Sequence, residues 1–417
     1  MQERRVVITG IGGVCCLGKN VETIWSDLIA GKCGIGPITL FDASQNKTRI
    51  GGEVPGFDPT CYMPAKEARH MDRFVQLAIA ASDEAMTRSG LKEQLESGKT
   101  DPGRVGSLVS SGTGGLSAAT EACRVIAESG PARLSPFLIS RMIGNMASGY
   151  LAIRYGFSGP VFGVVSACST GCHSVGEAYH IIKRDDADVM LAGGAEASVQ
   201  ELSIGGFNAL RALSTRNDDP QHASRPFDRD RDGFVASEGA GVLILEELEH
   251  AKRRGAQILC ELVGYGATCD GYHITSPDPE GKAVADAYRI AMKHAQITPA
   301  DIDYINAHGT STVLNDKIET AALKRALGDA AYRIPISSTK GAMGHALGAA
   351  GALECIFCVQ TVRTGIIPPT INYQTPDPEC DLDYTPNEAR SRSVRIAAND
   401  NLGFGGHNAV VLFKKYE

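Results

Sequence analysis

An α/β fold is predicted by three observations. Short β-branched or apolar runs recur along the chain, helical patterns fit between them, and the alternation occurs twice, each time ending on a glycine-rich segment. Continuous apolar runs suit strands buried on both faces, and strands alternating with helices predict parallel sheets. In the first length, strands are expected at 5–9, 104–110, 161–166, 188–192 and 241–246, with helices at 21–30, 73–89 and 174–184. The second length repeats the pattern, with strands at 259–264, 304–306, 335–337 and 408–413 and helices at 281–295, 316–327 and 346–364. The lengths meet near Lys252 to Gln257, giving halves of 1–255 and 256–417. Residues 368–386, with five prolines, are expected to be an irregular surface excursion, and 214–232 a polar loop.

A chain of 417 residues that is 43% hydrophobic and 21% charged can bury a large core. Its net charge of −7 argues against general affinity for nucleic acid or anionic membrane, which need a broad positive face. The apolar run after Arg4 and Arg5 breaks at Gly10, Gly12 and Gly13, so it reads as a first strand rather than a signal peptide, and a cytoplasmic location is expected. The twelve cysteines are accordingly expected to be reduced and mostly small core residues. Cys168, Cys172 and His173 lack a second Cys/His pair of matching spacing, so no metal is expected.

Three motifs fail on chemistry. The segment Gly13 to Asn20 nearly spells a phosphate loop, but Asn20 stands where a hydroxyl must reach magnesium. Gly10-x-Gly12 and Gly112-x-Gly114 both lack the third glycine of a dinucleotide fingerprint. Asp228-x-Asp230-x-Asp232-Gly233 begins like a calcium loop, but the position due for the bidentate carboxylate is Gly239, so it reads as a charged turn.

Cys168 falls in a tight polar turn between an apolar run and a helical pattern. At a helix start, free amides and the helix dipole favour the thiolate, so the local expectation is a lowered thiol pKa. Two histidines lie in glycine-flanked turns of the second half, each after a predicted strand and before a helix: His308 in Asn306-Ala-His-Gly-Thr310-Ser-Thr312, and His345 in Ser338-Thr-Lys340-Gly-Ala-Met-Gly344-His. Alone, any of the three is readable as a packed core residue. Together they have a use: two neutral imidazoles donating through Nε2–H stabilise enolate charge near a thiolate nucleophile.

These ordered motifs, with Gly403-Phe404-Gly-Gly, Arg225-Pro-Phe-Asp and Asn315-Asp316-x-x-Glu319, resemble the β-ketoacyl-[acyl carrier protein] synthases of the elongating, fatty-acid type over essentially the whole chain. The resemblance implies a thiolase-like αβαβα sandwich of two related halves, normally a homodimer. It implies that Cys168 takes the acyl group, and that His308 and His345 stabilise the enolate formed as malonyl-carrier protein loses CO₂. Lys340 is expected to orient the histidines, with Glu354 and Glu319 as buried carboxylates behind them. Phe404 is expected to gate the site and to complete, with Cys168, the oxyanion-binding N–H pair. Thr310, Thr312, Thr113, Phe207 and Leu402 are the implied substrate-binding residues, with Thr310 and Thr312 on the pantetheine arm. Lys66, Arg69, Arg133 and Arg211 would dock the acidic carrier. No cofactor is implied, because the phosphopantetheine arrives on the carrier.

The sequence departs from the family pattern at Thr113, Arg141, Met142, Leu402 and His407. These departures keep open a second reading, the catalytic ketosynthase of a type II polyketide or polyene pathway, paired with a non-catalytic homologue. A thiolase would carry a cysteine in place of His345, and a scaffold subunit would have lost Cys168 or a histidine.

Overall fold

The computed structural model describes residues 4–417, so positions 1–3 of the first half lie outside the described residues. Nine strands form the main sheet: β1 (Val6–Cys15), β2 (Val105–Ser110), β3 (Val189–Glu196), β4 (Gly239–Glu247), β5 (Cys260–Cys269), β6 (Tyr304–Asn306), β7 (Ile336–Ser337), β8 (Ile396–Gly403) and β9 (His407–Lys414). Their order is β2-β3-β4-β1-β5-β9-β8-β6-β7. Parallel pairing, expected throughout, is confined to the two ends, where β2 joins β3 and β6 joins both β8 and β7. The middle of the sheet is antiparallel. Strand β8 explains part of this difference. Its consecutive polar residues Asn399, Asp400 and Asn401 broke the apolar pattern by which strands were recognised, yet all three are buried. It turns into β9 through Phe404–Gly406, a loop short enough only for an antiparallel neighbour.

The helices that frame the sheet are α1 (Val21–Ile29), α2 (Arg73–Ser89), α3 (Leu116–Ser129), α4 (Met146–Tyr155), α5 (Thr170–Lys183), α6 (Lys282–Ala295), α7 (Val313–Leu327) and α8 (Ala350–Thr364). Helix α8 is buried on every side through Val362, the pattern of a helix inside a core rather than on a surface. It packs on β4 of the first half and β8 of the second, while α5 touches β3, β5 and β9. The sheet therefore folds around these two helices, with α2 outside β1 and β4 and α6 outside β5 and β9, which is the five-layer αβαβα order. Close packing of the central pair requires glycine at 171, where a Cβ would lie 2.7 Å from the amide nitrogen of Ala352.

The two halves share a local device. Each central helix is entered through a 3₁₀ turn, Ala167–Ser169 or Leu347–Ala349, whose first residue holds a left-handed φ, 51° at Ala167 and 44° at Leu347. A non-glycine residue there costs about 1–2 kcal/mol, so the surrounding packing must impose the turn.

Two further expectations are modified. The segment 161–166, expected as a buried strand, makes one bridge to β2 at Val161 and otherwise runs irregularly, with Phe162 45% and Val165 62% exposed. The excursion at 368–386 is irregular as expected but partly buried, because Tyr384 stacks on Phe227 at 3.9 Å between ring centroids. Asp228 anchors it as part of a charged turn, accepting from the N–H groups of Gln374 (2.7 Å) and Thr375 (2.6 Å).

Candidate active site

Cys168, His308 and His345 line one cleft of about 330 Å³, together with Phe207, Thr310, Thr312, Leu402 and Phe404. Cys168 sits in the strained turn Ala167–Ser169, directly before α5. Burial pushes its thiol up to about 12, against the pull of Lys340 and of the backbone N–H groups of Phe404 and Cys168 that face the sulfur. The expectation of a lowered thiol is thus corrected: desolvation outweighs the helix start. The two N–H groups remain well placed to hold negative charge developing at this point.

The His308 turn hangs on carboxylates of α7. Glu319 accepts from the N–H of His308 (2.6 Å) and of Gly309 (2.7 Å), and Asp316 accepts from the N–H of Thr310 (3.0 Å) and Ser311 (3.2 Å). Asp400 adds a second acceptor for the His308 N–H at 2.9 Å. On the ring, Nδ1 faces Asn401 Nδ2 at 3.2 Å. His345 is held through its backbone, its N–H donating to the Val235 carbonyl at 2.7 Å, while neither ring nitrogen has a partner among the described residues. The imidazoles meet edge to face, their centroids 5.3 Å apart. Burial lowers both far below the usual histidine range, and Lys340 lowers them further, so both are neutral at physiological pH.

Lys340 is fully buried and pairs with the equally buried Glu354, which also accepts from Asn401 Nδ2 at 2.7 Å. Burial raises the Glu354 carboxyl while Lys340 and Asn401 oppose the rise. Glu354 and Glu319 therefore stand behind the histidines as expected, and neither lines the cleft.

Other expected site residues are more scattered. Thr113 is exposed and does not line this cleft; its hydroxyl donates to the buried Glu196 at 2.7 Å. Of the docking residues, Arg211 borders the cleft, whereas Lys66, Arg69 and Arg133 lie away from it, all exposed. Arg141 pairs with Glu121 at 2.9 Å. His407 offers its carbonyl to Ser169 Oγ at 2.8 Å, tying the loop after Phe404 to the Cys168 turn. Among the described residues no group of three or more His, Cys, Asp or Glu is placed to hold a metal ion, and no helix is long and apolar enough to cross a membrane.

Sequence reasoning missed Asp400, Asn401 and Glu196. Asp400 is buried beside Glu319, also accepts from Tyr288 Oη (3.0 Å), and its carboxyl is raised to about 6, first by burial. A carboxyl raised in the folded state stabilises fully below its unfolded pKa, about 4, and that contribution is lost as pH rises through about 6. Asp400→Asn keeps an oxygen for His308 and removes this titration. Its melting temperature should therefore gain on wild type by a few degrees between pH 4 and 7, measured by thermal denaturation across that range.

Comparison with known proteins places these residues in context. Residues 3–251 match the family model described as beta-ketoacyl synthase, N-terminal domain, and 259–374 match beta-ketoacyl synthase, C-terminal domain. The chain is 47% identical over 417 residues to 3-oxoacyl-[acyl-carrier-protein] synthase 2 of Synechocystis sp., covering 100% of this chain and 99% of that protein. It is 46% identical over 416 residues to the protein of the same name in Staphylococcus aureus, with the same coverage. Among solved structures it superposes on a beta-ketoacyl synthase of Burkholderia phymatum with a TM-score of 0.92 at 35% identity, covering 99% of this chain and 100% of that one. A type II PKS ketosynthase, solved with its acyl-carrier protein and bound to the hexaketide, gives 0.91 at 36% with both chains fully covered.

Proposed function

The chain belongs to the β-ketoacyl synthase family, and we propose that Cys168, His308 and His345 perform its chemistry, with halves 1–255 and 256–417 contributing the nucleophile and the histidines. The enzyme is an acyl-transferring condensing enzyme of fatty-acid elongation: a decarboxylative Claisen condensation joins an acyl group to malonyl-carrier protein and gives β-ketoacyl-carrier protein. One observation carries the assignment of residues, namely a single cleft that holds a thiol, two neutral imidazoles and two inward N–H groups.

In the first half-reaction the Cys168 thiol gives up its proton and attacks, as thiolate, the acyl-carrier thioester. The oxyanion is received by the N–H groups of Cys168 and Phe404, the carrier C–S bond breaks, and the departing carrier thiolate takes up a proton to leave as thiol. Malonyl-carrier then enters the same cleft. Its C–CO₂ bond breaks to release CO₂, and the electron pair passes into an enolate whose oxygen accepts Nε2–H bonds from His308 and His345. The enolate carbon attacks the acyl-Cys168 carbonyl, and the product departs as cysteine sulfur is released. The pantetheine arm belongs to the substrate, passes Thr310 and Thr312, and leaves the reaction without a separate cofactor. The carrier docks at the cleft mouth beside Arg211, with Lys66, Arg69 and Arg133 offering further positive charge.

A homodimer is supported by the exposed segment 161–166. It lies along the sheet edge at β2 with its outer side open, and Gly163 packs on Asn145 within the stretch that exposes Phe137, Ile139 and Ile143. An open apolar edge calls for a partner strand. The double variant Phe162→Asp/Val165→Asp should convert a dimer to a monomer, read as a halved mass by light scattering; an unchanged mass would exclude this edge as the interface. Polyketide synthesis is the less favoured reading, since identity falls from 47% with the fatty-acid relatives to 36% with the polyketide ketosynthase.

The deciding experiment is intact-mass analysis after incubation with acyl-carrier proteins of graded length, followed by malonyl-carrier. One acyl group should appear on the protein and then leave as β-ketoacyl-carrier. A protein that stays unmodified with every carrier would overturn the assignment.

A further inference from the structure

We propose that Asn401 is a positioning residue that fixes the tautomer of His308, and so decides which ring nitrogen presents a proton to the cleft. Glu354 supplies the first step. Paired with the buried Lys340, its carboxylate can only accept, so the Asn401 atom 2.7 Å from Oε2 must be the amide NH₂. The Asn401 carbonyl is correspondingly the group that accepts from Asn399 Nδ2, at 3.2 Å. Each of these contacts fixes the same orientation of the amide.

The second proton of that NH₂ faces His308 Nδ1 at 3.2 Å. A nitrogen that receives a donor must present its lone pair, so Nδ1 is unprotonated and the ring proton of neutral His308 resides on Nε2. The backbone of the same histidine is gripped separately by Glu319 and Asp400, which leaves the ring's protonation to Asn401 alone among these contacts. His345 has no such partner on either ring nitrogen among the described residues. The two histidines thus differ: one arrives with its donor already aimed, and the other depends on substrate for orientation. Asn401 also lies three residues before Phe404 on the same chain, so β8 positions both the imidazole donor and the oxyanion N–H.

This inference rests on the condensing-enzyme reading for its consequence, but not for its test. Asn401→Asp preserves shape and reverses the polarity. Whether the new carboxyl is ionised or gives its one proton to Glu354, the oxygen facing His308 offers only a lone pair, so Nδ1 must carry the ring proton and Nε2 loses its own. The experiment is ¹⁵N spectroscopy of histidine-labelled full-length protein, with the His308 resonances assigned by their loss in His308→Gln. Wild type should show the Nε2–H pattern and Asn401→Asp the Nδ1–H pattern. Malonyl-carrier decarboxylation should fall about 100-fold with it, the cost of removing one preorganised donor. Should the aspartate variant fail to fold, Asn401→Leu provides the second measurement, with loss of the pure Nε2–H pattern. An Nδ1–H pattern in wild type, or an Nε2–H pattern retained in both variants, would overturn the inference. A tautomer that switches in a protein unable to decarboxylate malonyl-carrier would sustain it and overturn the functional reading instead.

Discussion

Cys168→Ala should abolish acyl loading and β-ketoacyl product, with condensation falling by about 10⁴-fold or more, while malonyl-carrier decarboxylation survives within about tenfold. The split follows from the geometry. In the proposed mechanism the sulfur forms the covalent acyl intermediate and the two imidazoles receive the enolate, and those imidazoles are held independently of the sulfur, by α7, Val235 and β8. Cys168 packs with Ile204, Leu213, Phe234, Ala236 and Leu347, so removing the one sulfur and leaving a methyl side chain takes away little volume, and stability should change by no more than about 1 kcal/mol. The raised thiol adds a pH signature. Because burial holds the group near 12 in the free enzyme, the thiolate fraction grows about tenfold per pH unit across the neutral range. Alkylation of Cys168 should therefore accelerate steadily from pH 7 to 9, monitored by intact mass. A plateau in that range would mean that the resting site already stabilises the thiolate.

Much of this site was legible in the sequence because its chemistry sits in turns. Cys168 in its polar turn and the glycine-flanked His308 and His345 stand out against apolar neighbours, and a turn between a strand and a helix tolerates a polar side chain that neither element would. The boundaries of α2 were likewise readable, since its apolar spacing ends on Gly90, which adopts a left-handed conformation. What escaped was polar and buried inside a strand. Asn399, Asp400 and Asn401 violate the pattern by which strands are recognised, and only the fold reveals their partners: Asn399 donates to Asn401, Asn401 donates to Glu354, and Asp400 accepts from Tyr288 and the His308 turn. The strand expected at 161–166 shows the opposite failure. Its apolar residues predicted burial, but the fold leaves Phe162 and Val165 exposed at the sheet edge, because an apolar run in the sequence does not say which side of the sheet is left open. The sense of the thiol shift also escaped, because local sequence carries the helix dipole and not the depth of the cleft.

Lys340→Met should destabilise the protein by about 3–5 kcal/mol, since it leaves the Glu354 carboxylate without its counter-ion at a fully buried position. Glu354 would then take up a proton or admit water, and either change disturbs Asn401, whose NH₂ joins the carboxylate to His308. The loss should thus reach activity by a route distinct from stability. Lys340 also holds both imidazoles down electrostatically, so its removal should raise their proton affinity, and the acid limb of malonyl-carrier decarboxylation should move to higher pH. A second substitution separates the effects. In Lys340→Met/Glu354→Gln the unpaired charge is gone while an oxygen remains for Asn401, and about 2 kcal/mol of stability should return, measured by denaturant unfolding as a coupling energy. Activity should not return with it, because the positive charge behind the histidines is still missing. If the double variant regained both stability and rate, Lys340 would be only a structural partner of Glu354, and the low proton affinity of the histidines would have to come from burial alone.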